Sequence, residues 1–266
     1  MHKSTVAAAL LLLSFPAAAQ QVSEPASRTA RASGEAIAGV QYQTGKYGTG
    51  ERIETTSAVA GTRVVTGRVI LSASLAYTRI DAPGNVVPSG SGPLGLPILV
   101  DPSRPAARVR RQGIGDTRLG AAWVLPIKGA DLAAYGQVKL PTAKRGLGTG
   151  KADYAAGVEA SKTIGRVTPF ASVTYTMPGS PDSYRLRNAW SGQAGLNASL
   201  GSSVSGQIAY GHAQNPSSSL VDEQLLSTRL TAGASSKLSL SVHGGVGLSK
   251  SAPEAIAGVQ LGVRMF

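Results

Sequence analysis

The chain has 266 residues, no cysteine, 33 glycines, 15% charged and 5% aromatic residues, and a net charge of +12. Without cysteine there is no disulfide scaffold, thiolate-ligated zinc or iron–sulfur centre, thiol catalysis or lipidated N-terminal cysteine. Charge far below the ~25% of an ordinary soluble domain, with glycine above the usual ~7%, argues against a cytosolic enzyme, and near-zero mean hydropathy argues against a helical membrane protein.

The N-terminus reads as a secretory signal peptide over residues 1–19. His2 and Lys3 form a short basic region, residues 6–15 are apolar, and Ala17-Ala18-Ala19 before Gln20 makes a small-residue cleavage site. The apolar run is too short for a bilayer-spanning helix of ~20 residues. Residues 20–34 are expected to form a short periplasmic segment, and residues 35–266 a single domain.

What recurs after residue 34 is alternation with a period of two. Leu119, Ala121 and Trp123 alternate with Arg118, Gly120 and Ala122, and Leu132, Ala134 and Val138 with Ala133, Gln137 and Lys139. Such strands have one apolar face and one polar or small-residue face. About twelve are predicted, over residues 35–46, 51–62, 67–79, 113–126, 130–141, 152–164, 167–177, 188–200, 203–212, 223–235, 237–248 and 254–266. Many are longer than the roughly five or six residues of soluble strands and suit a tilted bilayer crossing. Tight turns are expected at residues 64–66, 127–129, 165–166, 201–202 and 235–236, and long Gly-, Pro- and Ser-rich loops at 80–112, 142–151, 178–187 and 213–222. Short turns alternating with long loops, and an even strand count, describe an all-β fold: a transmembrane antiparallel up-and-down β-barrel. A secreted sandwich would carry more charge on its polar faces.

The longest loop carries Pro83, Pro88, Pro93, Pro97, Pro102 and Pro105 around Leu94, Leu96, Ile98, Leu99 and Val100. It either plugs the mouth or lies on the surface, ordered by partners. Basic residues concentrate in loops: Arg104, Arg108, Arg110, Arg111, Lys144, Arg145, Lys151, Arg185 and Arg187. Secretion and few stacking aromatics argue against nucleic acid as the partner. Rim cations facing lipopolysaccharide phosphates, or drawing anionic solutes to a pore, fit better.

In the middle of the chain stand Gly113-Ile114-Gly115-Asp116, then Lys139-Leu140-Pro141-Thr142, then Gly146-Leu147-Gly148-Thr149-Gly150 with Asp153 beyond. The pattern resembles the outer-membrane transporter family of the MetA pathway of phenol degradation, whose motifs read roughly GxGD, KxPT and GLGTGxxD. Ala143 stands where that family often has glycine. The resemblance implies a barrel that passes aromatic or other small hydrophobic compounds across the outer membrane. It marks Gly113, Gly115, Asp116, Lys139, Pro141, Thr142, Gly148, Gly150 and Asp153 as the motif residues. The chain ends at Phe266, and a terminal phenylalanine on an alternating strand resembles the signal read by the outer-membrane assembly machinery. Here Val259, Leu261, Val263 and Met265 are out of phase with it.

Read from the residues themselves, Asp116, Arg118, Lys139 and Asp153 fall at the extracellular ends of three neighbouring strands on the non-lipid face, with Glu159 further along the same lumenal face. A turn centred on Ile127-Lys128 sets Asp116 opposite Lys139, and one on Lys128-Gly129 sets Arg118 there. Either a charged constriction or a structural ion-pair network follows. Inward positions are small, among them Ala133, Ala155, Gly157, Gly195, Ala209, Gly211 and Gly245, which leaves space for a narrow lumen. After the signal peptide only His212 and His243 remain, and neither stands in a recognisable lipase-like motif. No metal or cofactor is expected. The reading is a non-enzymatic channel or transporter for small solutes, some aromatic or hydrophobic, entering the periplasm of a Gram-negative cell. Its alternative is a closed structural or surface-interaction barrel whose basic loops bind lipopolysaccharide or partners.

Overall fold

A computed structural model of the chain describes residues 32–88, 98–101 and 106–266. The expected signal peptide lies outside these residues, as do Arg104 and the middle of the long loop. Alternating sequence becomes strand throughout. The chain runs through β1 (Ser33–Gly45), β2 (Ile53–Thr66), β3 (Val69–Pro83), β4 (Val86–Pro88) and β5 (Ile98–Val100). It continues through β6 (Arg108–Ile114), β7 (Thr117–Leu125), β8 (Asp131–Leu140), β9 (Asp153–Ser161) and β10 (Val167–Met177). It ends with β11 (Ala189–Ser199), β12 (Val204–Ala213), β13 (Glu223–Gly233), β14 (Leu238–Gly247) and β15 (Ala255–Arg264).

Apart from the separate β4–β5 pair, the strands form one sheet in which all pairings are antiparallel and successive staves are neighbours. The sheet has 13 segments, and because β6 and β7 both pair with β3 and are two parts of one strand, the barrel has twelve staves. β1 closes it against β15 from Glu35↔Arg264 to Thr44↔Ala255. Closure leaves no open edge, the condition for a sheet to sit in lipid. Phe266 docks beside β1: Gly34 N–H donates to its carbonyl at 3.2 Å, and Met265 N–H donates to Gly34 O at 2.8 Å. A Cβ on Gly34 would lie 2.6 Å from the Phe266 ring, so the out-of-phase terminal residue is seated on a glycine.

The outer face is apolar, with Val40, Leu71, Trp123, Val158, Leu196, Leu240 and Val259 exposed. Tyr42, Tyr77, Tyr154 and Trp190 lie toward the long-loop end, and Trp123 and Phe266 toward the other. This is the girdle arrangement of outer-membrane barrels. Tyr175 and Trp190, paired in register, pack with ring centroids 4.8 Å apart and planes tilted by 49°. The inner face is polar, including Gln43, Ser57, Lys139, Glu159, Gln193, Arg229 and Gln260.

Three sequence expectations are corrected. The first tight turn is not at residues 64–66, which remain in β2, but at Gly67-Arg68, between the pair Thr66↔Val69. Gly67 takes the left-handed φ of +57° there, which suits the twist of a tight hairpin. The long loop is shorter than 80–112, because β3 and β6 stay paired out to Pro83↔Arg108. The fourth strand is also not a single alternating run. β3 pairs as Tyr77↔Ile114 above and Ser74↔Arg118 below, so one extra residue sits between them. This β-bulge at Gly115 and Asp116 switches the inward parity from Arg111 and Gly113 to Asp116, Arg118 and Gly120, as bulges do when they re-aim side chains.

Candidate functional site at the barrel mouth

The bulge brings the expected residues together. The pairings Arg118↔Lys139 and Lys139↔Asp153 set these three in one row across β7, β8 and β9. Of the two turn registers allowed by the sequence, the structure adopts the one centred on Lys128-Gly129. Asp116, one step further up, still reaches Lys139. The Lys139 ammonium lies 3.1 Å from Asp116 Oδ2 and 3.1 Å from Asp153 Oδ2, and all three side chains are at most 2% exposed. It also donates to Thr149 Oγ1 at 3.3 Å. Each carboxylate turns its other oxygen to a loop amide: Asp116 Oδ1 accepts from Ala143 N at 2.9 Å, and Asp153 Oδ1 from Gly179 N at 2.9 Å. One buried ammonium therefore anchors both the β8–β9 and the β10–β11 loops. With Arg118 alongside, two basic side chains face two acidic ones, so each buried group has a partner of opposite sign.

The glycine- and threonine-rich motif segments build the frame around this cluster. Thr142 Oγ1 accepts from Thr117 N at 2.8 Å and donates to Gly115 O at 3.4 Å, stitching the bulge to the next loop. Thr142 N–H donates to Leu140 O at 2.8 Å, closing a three-residue turn around Pro141, whose fixed φ suits it. Gly148 packs directly on Asp116. Gly113 takes φ +154°, with the Lys144 side chain over it. Gly150, at φ +71°, turns the chain back toward Asp153.

Above the cluster the mouth is filled. Tyr47, Ile53, Ile80, Ala82, Val86 and Leu147 form one buried apolar cluster. Burial, with Glu223 and Glu254 nearby, pushes the Tyr47 phenol up. Val86, Val87 and Leu99 of the β4–β5 pair are at most 1% exposed, so the described part of the apolar loop packs into the mouth. Arg111 holds it there, donating to Val86 O at 2.5 Å and to Gly146 O at 3.0 Å. Sequence reading placed Arg111 among rim cations. The signal for its inward role was the pair of glycines inside a strand, a bulge marker. Several other rim cations are paired: Arg108 and Arg110 with Asp81, Lys151 with Asp182, Arg187 with Asp222 and Arg52 with Glu254.

Glu159 is inward on β9, across from Ala133 and Ser172, six residues from Asp153 and separate from the cluster. His212 sits at the outer end of β12, 3.5 Å from Asp222. His243 is inward on β14, its Nε2 3.3 Å from Gln41 Oε1.

A model of the family described as "Putative MetA-pathway of phenol degradation" matches residues 26–265. The chain belongs to that family. Among solved structures it is similar to the translocator domain of autotransporter NalP from Neisseria meningitidis, at 12% identity and TM-score 0.54, covering 92% of each chain. It is similar to the KdgM porin in complex with disordered oligogalacturonate at 7% identity and TM-score 0.50, covering 88% of this chain and 99% of that one. The CymD monoaromatic hydrocarbon channel matches at 12% identity and TM-score 0.43, over 96% and 95%. A search of the curated proteins finds no match. Fold, lipid-facing band and family make this member an outer-membrane β-barrel.

Proposed function

We propose that the protein is a non-enzymatic outer-membrane channel that passes small solutes, aromatic and other hydrophobic ones among them, into the periplasm. The observation that carries this reading is the burial of Val86, Val87 and Leu99 inside the mouth, above a lumen lined by small and polar side chains. A barrel stabilised only by its wall does not need an apolar hairpin in its opening, whereas a channel needs a closing element. In this reading Asp116, Arg118, Lys139 and Asp153 are the fixed frame that holds the β8–β9 loop, and through Gly146 and Arg111 the hairpin. Family membership supports the solute class. Lys144 and Arg145, exposed and in no ion pair among the described residues, are the rim cations suited to lipopolysaccharide phosphates, and the docked C-terminal strand suits recognition by the assembly machinery.

Planar-bilayer recording tests the proposal. The refolded protein should give small, gated unitary steps, and removal of residues 86–106 should raise the unitary conductance several-fold. The filled mouth also favours a second reading, a sealed surface barrel. Silence in both proteins would support that and defeat the channel.

A further inference from the structure

Below the β4 strand, beside the ion-pair cluster, lies a cavity of about 50 Å³ lined by Gln41, Ser57, Thr78, His243 and Gln260, by Asp116 and Arg118 of that cluster, and by Val59, Leu147 and Pro88. Gln260 is 2% exposed, and neither its amide oxygen nor its amide nitrogen has a hydrogen-bond partner. Leaving such a buried amide unpaired is costly, and its place on the cavity wall gives that cost a function. The His243 ring lies against Gly258, where a Cβ would be 2.3 Å from Nε2. With Nε2 donating to Gln41 Oε1 at 3.3 Å, the buried Nδ1 is left as an acceptor without a partner. The cavity thus offers one unpaired amide acceptor, two amide donors and one imidazole acceptor, beside the apolar surface of Val59, Leu147 and Pro88.

We propose that this cavity is a solute-recognition site, with Gln260 as its specificity-determining residue. It takes a small uncharged molecule that presents a hydrogen-bond donor and acceptor side by side on an apolar body, as a carboxamide does. Two antiparallel hydrogen bonds to the Gln260 amide satisfy both of its orphaned atoms, and a second N–H of the solute reaches His243 Nδ1. Charged solutes are disfavoured because the two charged groups on the wall, Asp116 and Arg118, are already engaged in the ion-pair cluster, so such a solute would lose hydration without gaining a counter-charge of its own. The inference rests on the channel reading for its biological use, though not for its test.

The test is binding of isobutyramide to the refolded full-length protein in detergent, by calorimetry and by saturation-transfer NMR. Methyl isobutyrate, which only accepts hydrogen bonds, and isobutyrate, which is charged, are the comparisons. Saturable binding of the amide is expected, at least tenfold tighter than either comparison, tenfold or more weakened in Gln260→Leu and Gln260→Met, and partly retained in Gln260→Asn. Retained heat-modifiable gel mobility confirms that each variant folds. No saturable binding to the wild-type protein, or equal binding by Gln260→Leu and Gln260→Met, overturns the assignment. Conductance recorded on the same preparations reports separately on the channel, so a conducting barrel that ignores isobutyramide refutes this site alone.

Discussion

Gly148 and Asp116 touch across the mouth: a Cβ on Gly148 would lie 2.7 Å from Asp116 Oδ2 and 3.0 Å from the Cβ of Ala143. The β8–β9 loop therefore lies directly on the carboxylate that binds Lys139, with no room for a side chain between them. Gly148→Ala should push the loop off Asp116 and cost about 1–3 kcal/mol. Gly201→Ala, where nothing lies within 4 Å and φ is not positive, should be near neutral. Urea-dependent loss of the heat-modifiable band compares the two.

Lys139→Met leaves the buried Asp116 and Asp153 without their shared cation. The expected loss is about 3–5 kcal/mol, the cost of breaking a buried pair from one side. Adding Asp153→Asn alone to the same protein should recover part of it, because one carboxylate, Asp116, is then left facing one cation, Arg118. Urea unfolding midpoints measure both, and a single variant as stable as wild type would show that the cluster does not bear on the fold.

Arg111→Met removes the donors to Val86 O and Gly146 O and unties the hairpin from both sides. Bilayer recordings should show longer open times and more frequent openings at unchanged barrel stability. A conductance trace identical to that of wild type would place the hairpin's restraint elsewhere.

Deleting Gly115 removes the extra residue of the bulge. Either β6 or β7 must then present its lipid face to the lumen, a full inversion because side chains alternate with period two. The deletion should leave most of the protein unable to form the compact, heat-modifiable barrel, whereas Gly120→Ser, within a regular stretch of ladder, should still assemble.

Lys144→Gln with Arg145→Gln should lower binding to vesicles containing lipid A several-fold at low salt, and the difference should shrink as salt rises. Equal binding by both proteins would assign the contact to other rim cations.

The alternation of Leu119, Ala121 and Trp123, the long-and-short spacing of the connections and the motif residues from Gly113 to Asp153 are local properties of the chain. From them the twelve-stave barrel, the lumenal face of Arg118, Lys139 and Asp153 and the family are all legible, because strand periodicity assigns each residue to a face whatever its partners. Partner choice across the sheet is different, since it depends on turn registers that differ by one residue and on insertions that keep the hydrophobic pattern intact. Only the folded barrel chose Lys128-Gly129 as the turn centre and placed a bulge at Gly115. Only there did Asp116 join Lys139, Arg111 turn inward to hold the hairpin, and Gln260 and His243, both more than two hundred residues from Gln41 along the chain, meet it around one cavity. Long-range closure of β15 on β1 makes those contacts, and no local pattern encodes them.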